Sequence, residues 1–157
     1  MDENYKNDRI GSCERRENPT LMVQMKSGFA VIGDTQFLPG YCVLLGYPKV
    51  ASLNELSVEA RRLYLTDMTL IGDAIIQVSN PLRINYSTLM NFDHYLHTHI
   101  QARYDWEPDE FRTRPAFFYP AEHRNDEQYI YSEEKYGNLK KNITEALKIL
   151  MQDVYMV

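Results

Sequence analysis

Several common signals are missing from this chain. It has two cysteines, Cys13 and Cys42, in 157 residues, and neither belongs to a CxxC pair. A disulfide framework and a cysteine-based zinc cluster are therefore excluded as organising devices, and the cysteine usage suits a reducing cytoplasm. Basic residues are not in excess: 17 Lys and Arg face 22 Asp and Glu, for a formal net charge of −5. A surface that neutralises nucleic-acid phosphates needs a basic footprint, so no nucleic-acid partner is expected. A local cation cluster for a small anionic ligand stays open. No run approaches the roughly 18 apolar residues of a membrane span. The polar start "MDENYKNDRI" lacks the apolar core of a signal peptide. No membrane partner is expected, and there is no internal repeat or low-complexity tract.

What is present reads as one ordinary globular domain. The hydrophobic fraction of 44% is enough for a real core. Residues 1–20 are rich in Asn, Asp, Glu and Arg and read as a loosely ordered polar segment ahead of a single domain over 21–157. "GFAVIGD" (28–34) and "YCVLLGY" (41–47) read as strands, joined by a hairpin-length connection with Pro39 and Gly40 at its turn. From Ser57 to Val78, the apolar residues Ala60, Tyr64, Met68, Ile71, Ile75 and Val78 recur at spacings of three and four. Arg61, Arg62, Asp67 and Asp73 are interleaved as a polar face, which predicts an amphipathic helix with Ser57 as its N-cap. Asn80 precedes a proline and ends it. Residues 82–90 and 95–102 read as two further strands, 103–126 as an ordered loop rich in aromatics and arginines, and 138–154 as a second amphipathic helix. Strand pairs with helices outside them point to the α+β class.

Histidine is scarce too, and three of the four residues crowd into "NFDHYLHTHIQARY" (91–104). On a strand, alternate side chains share a face, so Tyr95, His97, His99 and Gln101 point one way. Leu96, Thr98, Ile100 and Ala102 point the other, and His94 has the wrong parity. His97 and His99 would lie about 7 Å apart at Cα, from the rise of a strand. Three uses compete. Two imidazoles can start a zinc site, but a third or fourth ligand is wanting. They can be partly buried and structural. Or one can attack phosphorus as a neutral nucleophile while the other holds an oxygen of the reacting group.

The stretch from Asn91 to Tyr104 resembles the histidine triad (HIT) signature, whose common bacterial form reads N-x-x-x-H-L-H-W-H-I-x-P-R-Y. Asn91, His97, His99 and Arg103 fall at the family's spacing. "FLPGYCVLLGYPKVASLNELS" (37–57) is similar to the family's P-G-H-V-L-V-x-P … L-x-x-L segment, and the order of elements also agrees. The resemblance covers roughly residues 28–104.

It implies a HIT-like α+β fold with about five antiparallel strands and two main helices, paired into a homodimer. It also implies hydrolysis or transfer at the α-phosphate of a nucleotide, through a covalent nucleotidyl-histidine. By position His97 is the nucleophile, His99 the third triad histidine, and Asn91 the phosphate-contacting asparagine. Asp34 matches the residue that holds ribose hydroxyls, with Gly33 as an equal alternative because the following loop is one residue short. Phe29 is a candidate for touching the base, against a core role. Arg103 is a candidate for offsetting substrate charge, against an ordinary surface arginine, and Arg112 and Arg114 are candidates for a second phosphate or the leaving group. His123 reads as a plain loop histidine. Tyr41 and Tyr95 replace two of the family's histidines. Each can donate a neutral hydrogen bond but cannot carry positive charge near neutral pH. The expected substrate is a nucleoside phosphate derivative, with diadenosine polyphosphate as one form. No cofactor is required and no metal site is expected, although Mg2+ could accompany a polyphosphate. A nucleotidyltransferase and a nucleotide-binding module with little turnover are the rival readings.

Overall fold

The computed structural model describes residues 3–156. Five antiparallel strands form one sheet in the order β1-β2-β3-β5-β4. They are β1 (Leu21–Gln24), β2 (Gly28–Ile32), β3 (Cys42–Gly46), β4 (Arg83–Ser87) and β5 (His97–Arg103). The α+β expectation holds, and the one strand not anticipated is β1, a four-residue edge strand that pairs with β2.

A short helix α1 (Arg9–Glu14) precedes the sheet, the long helix α2 (Val58–Ser79) links β3 to β4, and two single-turn helices, α3 (Asp109–Arg112) and α4 (Ala121–Arg124), follow β5. The chain closes with α5 (Glu133–Tyr155). The Ser57 side chain accepts from the Ala60 N–H, the capping bond that the sequence predicts and that contributes about 1 kcal/mol. Asn80 ends α2 in the left-handed conformation at φ 45°. One member of the expected polar face is misplaced. Asp67 is fully buried and accepts hydrogen bonds from the Ser27 backbone and hydroxyl and from the Tyr155 phenol.

The sheet has two unlike faces. Ala30, Ile32, Leu44, Ile100 and Ala102 turn toward α2 and α5 and meet Ile71, Ile75, Ile143 and Leu147 in the main core. Thr98, on the same face, bonds to the buried Tyr64 hydroxyl at 2.8 Å. The opposite face carries Phe29, Val31, Val43 and Leu45, and from β5 the side chains of His97, His99, Gln101 and Arg103. Residues 9–14 correct the expectation of a loose N-terminal segment. Asp8 caps α1 through a bond from the Gly11 N–H, and Ile10 and Cys13 are buried against Phe29, Val31 and Leu45. The helix thereby covers the β2–β3 part of the histidine face. Phe29 is only 2% exposed in this cluster, which gives it the core role rather than a contact with a ligand.

Candidate functional site

Next to α1, the uncovered part of that face forms a cavity of about 250 Å³. Its floor is β3 and β5, through Tyr41, Val43, Leu45, His97 and His99. Gly33, Asp34 and Thr35 form one wall, Asp93 and Tyr95 another, and Arg9 and Asn125 close its rim. Strand register brings these groups together: His97 is paired with Leu45 and His99 with Val43.

His97 is 7% exposed, and its Nδ1 lies 2.7 Å from the carbonyl oxygen of Tyr95. A carbonyl only accepts, so Nδ1 carries a proton, and in the neutral ring the lone pair is the one on Nε2. The Tyr95 side chain rests on the same imidazole, with ring centroids 5.2 Å apart. Lys49 lies over the outer face of that phenol at 5.2 Å. A side chain at 95 therefore packs on His97, while the backbone at 95 fixes its tautomer.

His99 is held differently. Its Nδ1 sits 2.5 Å from the Tyr41 hydroxyl. Burial, and then the Asp34 carboxylate, push the Tyr41 phenol well above its ordinary range. Burial first, and then neighbouring His97, lower the His99 pKa from 6.5 to about 4. Both partners are thus neutral near pH 7, so the phenol donates and the His99 proton resides on Nε2. The two imidazoles are 5.0 Å apart in edge contact, and Phe117 stands edge-on to His99 from the far side. Tyr41 in turn packs flat on Gly33. A Cβ at residue 33 would come within 2.5 Å of the Tyr41 ring.

Asp34 and Gly33 both line the cavity, and neither is excluded by position. Asp34, however, is already engaged. Arg9 grips both its oxygens at 2.5 and 3.3 Å, and the Tyr5 hydroxyl donates to Oδ1 at 3.1 Å. Arg9 is the functional-face residue that sequence reasoning missed. Asp8 before "RIGSCE" is a readable cap signal for α1, but no local pattern joins Arg9 to a residue 25 positions on.

Two expected site residues lie elsewhere. Asn91 is exposed on the bend before β5 and takes no part in the cavity wall. Arg103 is neither a surface arginine nor a cavity group. It is 3% exposed and directs its donors to Glu107, to Asn85 Oδ1 and to the carbonyls of Phe111 and Arg114. Burial raises the Glu107 pKa, but the bonds from Arg103, the Tyr104 N–H and Tyr119 outweigh it and the net shift is downward. Arg103 therefore pins the 105–114 segment to the sheet. His94 is exposed, and His123 stacks on Tyr119 at 5.1 Å within an aromatic cluster. Cys13 is buried and its thiol is pushed up to about 12 by desolvation, which leaves it unreactive. Among the described residues, no group of three or more His, Cys, Asp and Glu is placed to hold a metal ion. No helix among them is long and apolar enough to cross a membrane.

An imidazole whose Nδ1–H is engaged by a backbone carbonyl, beside a neutral hydrogen-bond donor in a half-closed cavity, suits attack on an electrophile that bears oxygens. Comparison with known proteins adds the fold. No protein-family model matches the chain, and no curated protein sequence matches it. Solved structures do. A histidine triad protein from Marinobacter aquaeolei VT8 superposes with a TM-score of 0.70 at 17% identity, over 83% of this chain and 89% of that one. A histidine triad protein from Sinorhizobium meliloti 1021 gives 0.70 at 16% identity, over 93% and 95%. A hypothetical histidine triad nucleotide-binding protein from Sulfolobus tokodaii strain 7 gives 0.69 at 16% identity, over 93% and 95%. The sheet order, the long crossing helix and the paired imidazoles on β5 therefore stand in a histidine triad fold.

Proposed function

We propose that the chain is a histidine triad nucleotide hydrolase that uses His97 as a covalent nucleophile at an α-phosphate. The observation that carries this reading is the His97 imidazole itself, with Nδ1–H on the Tyr95 carbonyl and the ring lining the cavity, which leaves Nε2 as the attacking nitrogen of the neutral ring. The lone pair of Nε2 attacks phosphorus as the bond to the leaving oxygen, or to the leaving nitrogen of a phosphoramidate already protonated by solvent, breaks, and that electron pair departs with the leaving group. Water then displaces the imidazole, its proton passes to solvent, and the electron pair returns to Nε2. His99 remains neutral, so it serves as an N–H donor to a phosphoryl oxygen and not as a proton source. This role tolerates tyrosine at 41, because the phenol sets the tautomer of His99 from the other nitrogen. The tyrosine at 95 is tolerated for a different reason: its backbone, not its side chain, orients His97. Ribose would meet the Gly33–Asp34 wall, with Arg9 fixing the carboxylate. A homodimer and a cytoplasmic setting accompany this reading, with Mg2+ only as an escort of polyphosphate substrates.

The test is the His97→Ala variant against nucleoside phosphoramidates and dinucleoside polyphosphates. Turnover should vanish while nucleotide binding stays within a few-fold, because binding draws on the whole cavity and attack on one nitrogen. Retention of more than about a few per cent of the wild-type rate contradicts a covalent nucleophile at this position.

A further inference from the structure

Among the described residues that line the cavity over His97 and His99, one permanent cation, Arg9, stands beside the carboxylates of Asp34 and Asp93. Arg103, Arg112 and Arg114, the arginines that the sequence offered for substrate charge, do not line it. Three of the polar rings bring no charge that could take the place of a cation. Burial above all raises the phenols of Tyr41 and Tyr95 and lowers the His99 imidazole, so these three are neutral near pH 7. In each of them the Arg9 charge adds a smaller effect, which puts all three within its electrostatic reach. Without Arg9, a phosphoryl group in this cavity would meet carboxylates alone, and like charges repel strongly where water is partly excluded.

The fold aims this guanidinium before any ligand arrives. Asp8 caps α1, and Ile10 and Cys13 sink into the cluster with Phe29, Val31 and Leu45, which leaves Arg9 at the cavity rim. Asp34 accepts from Nη1 at 3.3 Å and from Nη2 at 2.5 Å, and the Tyr5 ring centre lies 5.7 Å from Cζ. These contacts occupy one end of a planar fork that carries several N–H donors. The Nε–H edge bonds to no other described residue, and the side chain is 26% exposed. A half-buried cation, fixed at one edge and open at the other, can take a second set of oxygens without giving up the first. Little side-chain freedom is then lost on binding.

We propose that Arg9 is a catalytic residue, whose open edge holds a non-bridging oxygen of the α-phosphate while its other edge keeps Asp34 turned to the ribose. This role rests on the proposed attack by His97 and adds to it the cation of the site. As Nε2 of His97 closes on phosphorus, negative charge gathers on the equatorial oxygens. Arg9 meets that charge from the rim, and the neutral His99 N–H meets it from the floor. No proton moves at Arg9, which stays charged throughout. The positive charge that tyrosines at 41 and 95 do not carry thus enters from a helix outside the sheet. The competing role of Arg9 is to position Asp34 alone, with no contact to phosphate. The two roles differ in which part of a nucleotide they affect.

The experiment uses the full chain with the variants Arg9→Gln and Arg9→Lys, and titrates each protein calorimetrically with AMP and with adenosine at low salt. Arg9→Gln should bind AMP at least about tenfold more weakly than wild type, the scale of a lost charged hydrogen bond, and adenosine within about threefold of wild type. Retained adenosine binding also shows that the variant has folded. Arg9→Lys keeps the charge but not the fork, and should recover part of the AMP affinity. Absence of AMP binding to wild type, undiminished AMP affinity in Arg9→Gln, or equal losses on AMP and adenosine in both variants overturn the proposal. With adenosine 5′-phosphoramidate, kcat should fall at least about tenfold in Arg9→Gln and rise again in Arg9→Lys. A raised KM at unchanged kcat overturns the proposal. If wild type binds AMP but does not turn over the phosphoramidate, the attack by His97 is refuted, and the AMP and adenosine titrations by themselves decide whether Arg9 holds the phosphate.

Discussion

Replacing His99 by glutamine should flatten the acid side of the stability profile. The His99 pKa is about 4 in the folded chain against 6.5 for the free side chain. Protons therefore bind the unfolded state more readily between those values. The stabilisation from keeping this ring neutral is fully present above pH 6.5 and is lost as the pH falls toward 4. Between pH 7 and pH 4.5 the full difference is about 2.5 kcal/mol, at about 1.4 kcal/mol per pKa unit. Water reaches the half-buried ring, so about 2 kcal/mol is the expected loss. Glutamine does not titrate, and its carbonyl can still accept from Tyr41. Urea unfolding at pH 7 and pH 4.5 should then show wild type losing about 2 kcal/mol more than His99→Gln. Other groups titrate in both proteins and cancel in the comparison. Parallel losses, or an imidazole proton signal of His99 that titrates near pH 6, would refute the lowered pKa of His99 and the burial that causes it.

Two further substitutions test the surroundings. Gly33→Ala puts a methyl group 2.5 Å from the Tyr41 ring, so the ring must move off His99. A loss of about 1–3 kcal/mol in urea unfolding, typical of overpacking, is expected, and wild-type stability would mean that Tyr41 is not seated on Gly33. Arg103→Ala leaves Glu107 buried without its cation, and should cost about 3–5 kcal/mol in urea unfolding. A variant of unchanged stability with only a raised KM would return Arg103 to the substrate.

The legible parts of this chain were those whose signal is local. Helix α2 announces itself through spacing and the Ser57 cap, and the two-residue period of β5 separates His97 and His99 from the core side chains. The illegible parts depend on partners distant in sequence. Strand β1 has only four residues and takes its place from β2. Helix α1 is six residues with a glycine inside, too short to show a period, and is fixed by Ile10 and Cys13 packing on the sheet. Helix α5 begins at Glu133, earlier than the apolar pattern indicates, because Ser132 caps a first turn of glutamates that favour a helix N-terminus. The histidines and tyrosines of the cavity were readable one by one. The Arg9–Asp34 pair and the inward turn of Arg103 were not, since each depends on which charges folding brings together.

The central claim is a bond between His97 and a nucleotide, and trapping that bond tests it most directly. Wild-type protein is mixed with adenosine 5′-phosphoramidate radiolabelled at phosphorus and quenched in base within milliseconds. Label should remain on the protein in base and be released by acid, because acid protonates the departing imidazole nitrogen. It should be absent from His97→Ala and should persist after exhaustive chelation, since imidazole attack needs no metal-bound hydroxide. Robust turnover of the phosphoramidate with no label trapped at any time, and with activity abolished by chelator, would contradict the account and make His97 a metal ligand.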